Sequence, residues 1–162
     1  MNIPTHITAS LSLLIFFASV PIYSAASLDE IRLKAERGDA AAQVQLGDAY
    51  DTGAGVKKDV AEAIKWYRKA AEQGNADAQF GLGASYYAGA GVLKDETEAL
   101  AWFMLSAAAG NNEAAKQRDA LERALDTKKK QLAQERSKKI AQEIEARRNT
   151  SPTEEKTKDA HK

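Results

Sequence analysis

The chain has 162 residues, 44% of them hydrophobic, with 23 basic and 23 acidic side chains and no cysteine. That length suits one small domain with appendages. The lack of cysteine excludes disulfides, thiolate metal sites, a cysteine nucleophile and a lipid-modified cysteine near the N-terminus.

Residues 1–26 read as a cleaved signal peptide. Leu11 to Val20 is an apolar run of signal-peptide length, too short for an ordinary membrane-spanning helix. Pro21 ends any helix there. Ser24-Ala25-Ala26 supply the small residues of a cleavage site, with the cut after Ala26. No Lys or Arg precedes the run, so an uncleaved N-terminal anchor is the alternative. The expectation is export to the periplasm or beyond the cell, with no stable membrane span after cleavage. Residues 27–37 read as an N-terminal capping helix.

From Gly38 onward the chain repeats itself. Gly38, Gly74 and Gly110 recur at intervals of 36 residues. Leu46-Gly47 returns as Leu82-Gly83, Tyr50 as Tyr86, and Gly53-Ala54-Gly55-Val56 as Gly89-Ala90-Gly91-Val92. Asp59 returns as Asp95, Ala63 as Ala99 and Trp66 as Trp102. The units span 38–73 and 74–109.

Each unit reads as two helices. The first covers about 40–51 and 76–87, with Asp39 and Asn75 placed to accept from first-turn amides. The glycines of the G-A-G-V segment interrupt the helix and permit a tight connection. The second helix starts at Asp59 or Asp95, with Glu62 and Glu98 at capping-box spacing, and ends at Gly74 or Gly110. Ala42, Leu46, Gly47 and Tyr50 share one face of the first helix, and Ala63, Trp66, Tyr67, Ala70 and Ala71 one face of the second. The small residues allow close helix packing, and Trp66 and Trp102 fill the space between helix pairs.

The strings AAAQVQLGDAYDTGAGVKKDVAEAIKWYRKAAEQG and ADAQFGLGASYYAGAGVLKDETEALAWFMLSAAAG resemble Sel1-like repeats, a tetratricopeptide-like family, over residues 38–110. The ordinary tetratricopeptide unit is shorter, about 34 residues, and lacks the G-x-G-V connection. The resemblance implies an all-α fold, a short right-handed α-α solenoid with a long C-terminal helix, and a non-catalytic adaptor role in protein complexes. The flanks extend it. Ile31, Ala35 and Gly38 match Tyr67, Ala71 and Gly74 of a second helix. Residues 113–125 begin like another first helix but carry Arg118 and Asp119 where Leu82 and Gly83 would stand. Both flanks read as the caps that an open-ended solenoid needs.

Residues 110–148 are expected to form a capping and extended basic helix, continuous from Glu113 to about Arg148. Leu121, Leu125, Leu132, Ile140 and Ile144 give it a thin apolar stripe. Beyond about Thr127 it is expected to project into solvent. Residues 27–115 hold 14 acidic and 9 basic side chains, whereas 116–148 hold 11 basic and 6 acidic, so the body is acidic and this helix basic. Residues 149–162 are polar and charged and read as a disordered tail.

Catalytic chemistry has little to work with. The two histidines, His6 and His161, sit at the chain's ends, so no Ser-His-Asp set can be assembled in the body. No ligand cluster for zinc is present. Asp95, Glu96 and Glu98 lie at a helix start, where the dipole favours negative charge, and the same acids recur at Asp59 and Glu62, which is capping rather than catalysis. The G-A-G segments follow helices and do not match a phosphate loop. No catalytic, cofactor or metal residue is therefore assigned. Residues 116–162 contain no aromatic side chain for stacking on bases, which argues against nucleic acid.

What remains is a partner surface. First helices line the concave face of such solenoids, and positions there that packing does not require differ between the units. They are Gln45, Asp48 and Asp51 in the first, and Phe80, Ala84 and Tyr87 in the second. The expected function is an exported, non-catalytic adaptor holding a protein or peptide on that face. The alternative is a structural or assembly factor that uses the basic segment 128–148 on a coil partner or an anionic envelope surface. A third reading is a cell-envelope hydrolase. Sequence leaves the partner's identity and the oligomeric state open.

Overall fold

A computed structural model describes residues 25–150. Of the signal peptide read at 1–26, only Ala25 and Ala26 are described, at the start of a helix. Of the tail read as disordered at 149–162, only Asn149 and Thr150 are described, and both are helical; the rest of both segments lies outside the described residues. Seven helices, α1 (Ala25–Glu36), α2 (Ala40–Thr52), α3 (Val60–Ala71), α4 (Ala76–Ala88), α5 (Glu96–Ala108), α6 (Asn112–Ala124) and α7 (Thr127–Thr150), account for the secondary structure, with no strand among the described residues. The fold is an all-α helical repeat solenoid. Pairs α2–α3 and α4–α5 are the two units, α1 covers one end and α6 the other.

The helix ends follow from a few residues repeated every 36. Asp39, Asn75 and Asn111 have extended backbones and accept from the amides of Ala42, Ala78 and Ala114 at 2.7, 2.9 and 2.9 Å. Asp59 and Asp95 do the same for α3 and α5. Gly38, Gly74 and Gly110 close α1, α3 and α5 with φ of +96°, +87° and +96°, left-handed values that a side chain would strain. The match between all three shows that α1 is a second-type helix and that α6 begins as a first-type helix.

The expected capping box does not form. The amides of Asp59 and Asp95 donate to the carbonyls of Tyr50 and Tyr86 at 2.8 and 3.0 Å, closing the G-A-G-V loop. Nothing is left at those amides for a glutamate to accept. Glu62 instead pairs with Lys65, and Glu98 accepts from Trp102 and Arg136.

Packing explains the repeated Leu-Gly pair. Leu46 and Leu82 are fully buried. Gly47 lies under the ring of Tyr67, and Gly83 under that of Phe103. A Cβ at either glycine would stand 2.7 or 2.6 Å from a ring carbon, closer than carbon atoms pack. Gln43 and Gln79, also one period apart, are buried and donate to the carbonyls of Ala35 and Ala71 at 3.0 and 3.3 Å. Each ties the start of a first helix to the end of the preceding second helix.

The C-terminal third departs from the expectation of one continuous, projecting helix. Leu125 turns to an extended backbone (φ −86°, ψ 149°) and buries its side chain against α5 and α6. Asp126 then caps α7, its carboxylate accepting from the Lys129 amide at 2.9 Å. The chain breaks without proline or glycine because Leu125 gains burial while Asp126 supplies a new start. α7 folds back onto the second helices. Ala133 joins the Phe103 cluster, and Ile140 and Ile144 join the cluster around Trp102, Tyr67 and Ala70. These three share a stripe at spacings of seven and four. Leu132, assigned to the apolar stripe from sequence, is one residue off it and 55% exposed.

Candidate functional site

The stacking of α2, α3 and α4 leaves an open groove of about 530 Å³ on the first-helix face. Val44, Asp48 and Asp51 form one wall at helical spacings of four and three. The opposite wall is α4, through Asp77, Phe80, Ala84 and Ala88. Ile64 and Tyr67 of α3 make the floor. Gly81 keeps the floor accessible, since a Cβ there would meet the Tyr67 ring at 3.4 Å.

Four of the six partner residues named from sequence therefore meet in one place: Asp48, Asp51, Phe80 and Ala84. Phe80 is half-buried, with one edge against Phe103 (centroids 5.7 Å apart, planes tilted by 42°) and the remainder facing the groove. Gln45 and Tyr87 do not line it. Gln45 is exposed on α2, and its match in the second unit, Gly81, lies against the Tyr67 ring of α3. Tyr87 matches Asp51 in the repeat but is not among the residues that line the groove. It is 46% exposed, with the Lys94 ammonium 5.6 Å from its ring centroid.

Sequence reasoning missed Asp77 and Tyr67. Asp77 differs from its match Ala41, as the other assigned positions differ from theirs, but it lies in the first turn, where an acid also serves the helix dipole. The repeat pattern accounts for Tyr67 by packing alone. Its hydroxyl donates to Asp48 Oδ1 at 2.7 Å. The second unit holds Phe103 and Ala84 at the matching places, so hydroxyl and carboxylate are present together or absent together.

Electrostatically the groove is acidic. Asp48 is an exposed residue, but partial desolvation of its carboxyl in the groove pushes it above its ordinary range, and the charges of Asp51 and Asp77 push it further, while the Tyr67 hydrogen bond opposes them. Burial, and then the neighbouring carboxylate, raise the Tyr67 hydroxyl well beyond its usual value. A raised carboxyl pKa means the folded state holds its proton more tightly than the unfolded chain. The ionised form therefore costs stability above the ordinary carboxylate range, and that cost disappears as pH falls below it. Asp48→Asn, which keeps an acceptor for Tyr67, is expected to raise the melting temperature at pH 7 and to leave it unchanged near pH 3. Circular dichroism melts at the two pH values would measure this. A variant less stable at pH 7 would show that the carboxylate is a net support.

No group of three or more His, Cys, Asp or Glu side chains among the described residues is close enough to hold a metal ion. No described helix is long and apolar enough to cross a membrane.

This architecture, paired helices stacked so that one face carries a groove, defines the class of α-helical repeat scaffolds that serve protein–protein interaction. Within that class the chain belongs to the Sel1 repeat family. The model described as Sel1 repeat matches residues 40–75 and 76–111, the same 36-residue period. The chain is 38% identical over 52 residues to the secretory immunoglobulin A-binding protein EsiB of Escherichia coli O6:H1 (strain CFT073), covering 32% of this chain and 11% of EsiB. Among solved structures, c5321 is described as a protective antigen present in uropathogenic Escherichia coli strains and displaying an SLR fold. It superposes with a TM-score of 0.69 at 36% identity, over 85% of this chain and 31% of c5321. The cysteine-rich protein B (hcpB) of Helicobacter pylori gives 0.56 at 30% identity, over 59% of this chain and 71% of hcpB. The chain thus spans about a tenth of EsiB and about a third of c5321.

Proposed function

We propose that this chain is an exported, non-catalytic adaptor that holds a protein or peptide in the groove between α2 and α4. The observation that carries this reading is the groove itself. It is bounded by side chains that differ between the two units, whereas the packing and capping residues repeat. The half-buried aromatic Phe80 is the kind of anchor that dominates binding energy at interfaces. The apolar run at 11–20 and the small residues at 24–26 support export. EsiB, by its name, binds a protein, which agrees with a protein partner here.

Ala88 is exposed at the groove's edge and Lys139 is exposed on α7, so a photoreactive side chain at each position samples the two surfaces without unfolding either. With the full chain in an envelope extract, a covalent adduct is expected from position 88 and none from 139. Adducts confined to 139 would overturn the groove reading. They would favour the assembly role for the basic helix, whose Lys128, Lys129, Lys138 and Lys139 are exposed.

A further inference from the structure

We infer that the groove between α2 and α4 selects a cationic peptide segment, one that sets lysine or arginine side chains beside an apolar one. This rests on the groove being the partner site and goes further by naming the partner's chemistry.

Three features fix that chemistry. First, the walls carry three carboxylates, Asp48, Asp51 and Asp77, and no lysine or arginine. Among the described residues none of the three makes an ion pair; Asp48 accepts from Tyr67 and Asp77 from Asn111. The charge is thus uncompensated among the described residues, and mutual repulsion adds to the desolvation cost at Asp48. Second, the carboxylates are spread over two helices and do not form a metal-holding group. Separate cationic side chains on one strand of peptide can meet them, whereas a single ion cannot. Third, the space between them is apolar, lined by Val44, Ile64, Phe80 and Ala84. An apolar side chain seated there would lose water on both surfaces. The low-dielectric walls also strengthen the attraction of the carboxylates for a nearby cation.

Among the described residues no basic side chain forms an ion pair with these carboxylates. Arg136 pairs with Glu98 and Arg147 with Glu72, both on the second-helix side where α7 is docked. A second copy could still present the exposed lysines of α7 to the groove, and the experiment separates that occupant from a distinct peptide.

The test is fluorescence anisotropy with the full chain and three labelled nonapeptides: Lys-Leu-Ser, Lys-Ser-Ser and Glu-Leu-Ser, each repeated three times. The Lys-Leu-Ser peptide should bind most tightly and weaken as salt is added. The triple variant Asp48→Asn, Asp51→Asn, Asp77→Asn should bind it roughly tenfold more weakly, from three partly exposed pairs of modest strength, with its circular dichroism spectrum unchanged. Ala88→Trp, which narrows the groove from an exposed position, should weaken it too. Equal affinity for the Glu-Leu-Ser peptide, or no loss in the triple variant, overturns the cationic preference. If position 88 still crosslinks to a partner, the groove reading survives that failure. If Ala88→Trp leaves peptide binding intact, the site is elsewhere and both readings fall. Sedimentation that shows oligomers of the parent chain, abolished both in the triple variant and by Lys138→Gln with Lys139→Gln, would make the occupant a second copy and overturn the inference of a distinct peptide partner.

Discussion

A chain ended at Asp126 is expected to lose about 3–6 kcal/mol of folding stability. Ile140 and Ile144 are buried at 4% and 9% exposure against the Trp102 cluster. Each such side chain contributes roughly 1.5–3 kcal/mol when removed from water. Small domains are stable by only about 5–15 kcal/mol, so the loss takes a large share of the total and should lower the melting temperature by roughly 10–30 °C. Two further contacts vanish with α7. Arg136 grips both oxygens of Glu98 at 2.9 and 3.1 Å, and Arg147 reaches Glu72. Thermal melts of full and shortened chains by circular dichroism would measure the difference. An unchanged melting temperature would mean that α7 is not docked. The consequence reaches function: deleting the basic helix cannot tell tail binding from groove binding, because it opens the core beneath the groove. Replacing the exposed Lys128, Lys129, Lys138 and Lys139 by Gln separates the two.

The repeat was legible because packing and capping demand the same residue at the same place in each unit. Leu46-Gly47 and Leu82-Gly83 sit beneath equivalent rings, and Asp39 and Asn75 cap equivalent turns. Each of these features is local, or links neighbouring helices at a fixed separation. The fold-back of α7 is neither. It depends on the hydrophobic surface that α3 and α5 present together, and nothing between 113 and 148 encodes that surface. The one local clue was Asp126, a cap in the middle of a basic run, and the apolar stripe changes phase just after it. At the groove, comparison of the two units picked out Asp48, Asp51, Phe80 and Ala84, since packing leaves those positions free to vary. It failed for Tyr67, whose ring does structural work over Gly47 while its hydroxyl serves Asp48 from 19 residues away. A residue that does both jobs keeps its place in the repeat and so looks purely structural.

Trp102→Ala is expected to cost about 3–5 kcal/mol, the range for truncating a large ring in a core. Trp66 occupies the same place in the first unit, yet the two should respond differently to a gentler change. Trp102 is 2% exposed, packs with Ile140 and Ile144 of α7, and donates its indole N–H to Glu98 at 3.0 Å. Trp66 is 8% exposed and packs on α1 and α2, and its buried indole nitrogen has no hydrogen-bond partner among the described residues. Its match to Glu98, Glu62, is drawn away by Lys65. Replacement by Phe keeps most of each ring and removes the N–H. At Trp102 that breaks a hydrogen bond to a carboxylate, worth about 1.5–3 kcal/mol. At Trp66 it removes a donor that bonds to nothing, so it offsets much of its own packing loss. Urea denaturation should therefore rank Trp102→Ala as most damaging, Trp102→Phe next and Trp66→Phe least. Equal losses for the two Phe variants would mean that the indole bond to Glu98, the carboxylate through which Arg136 joins α7 to α5, adds nothing to stability. That junction matters beyond stability, because α3 and α5, which α7 ties together, set the spacing of α2 and α4 and so the width of the groove.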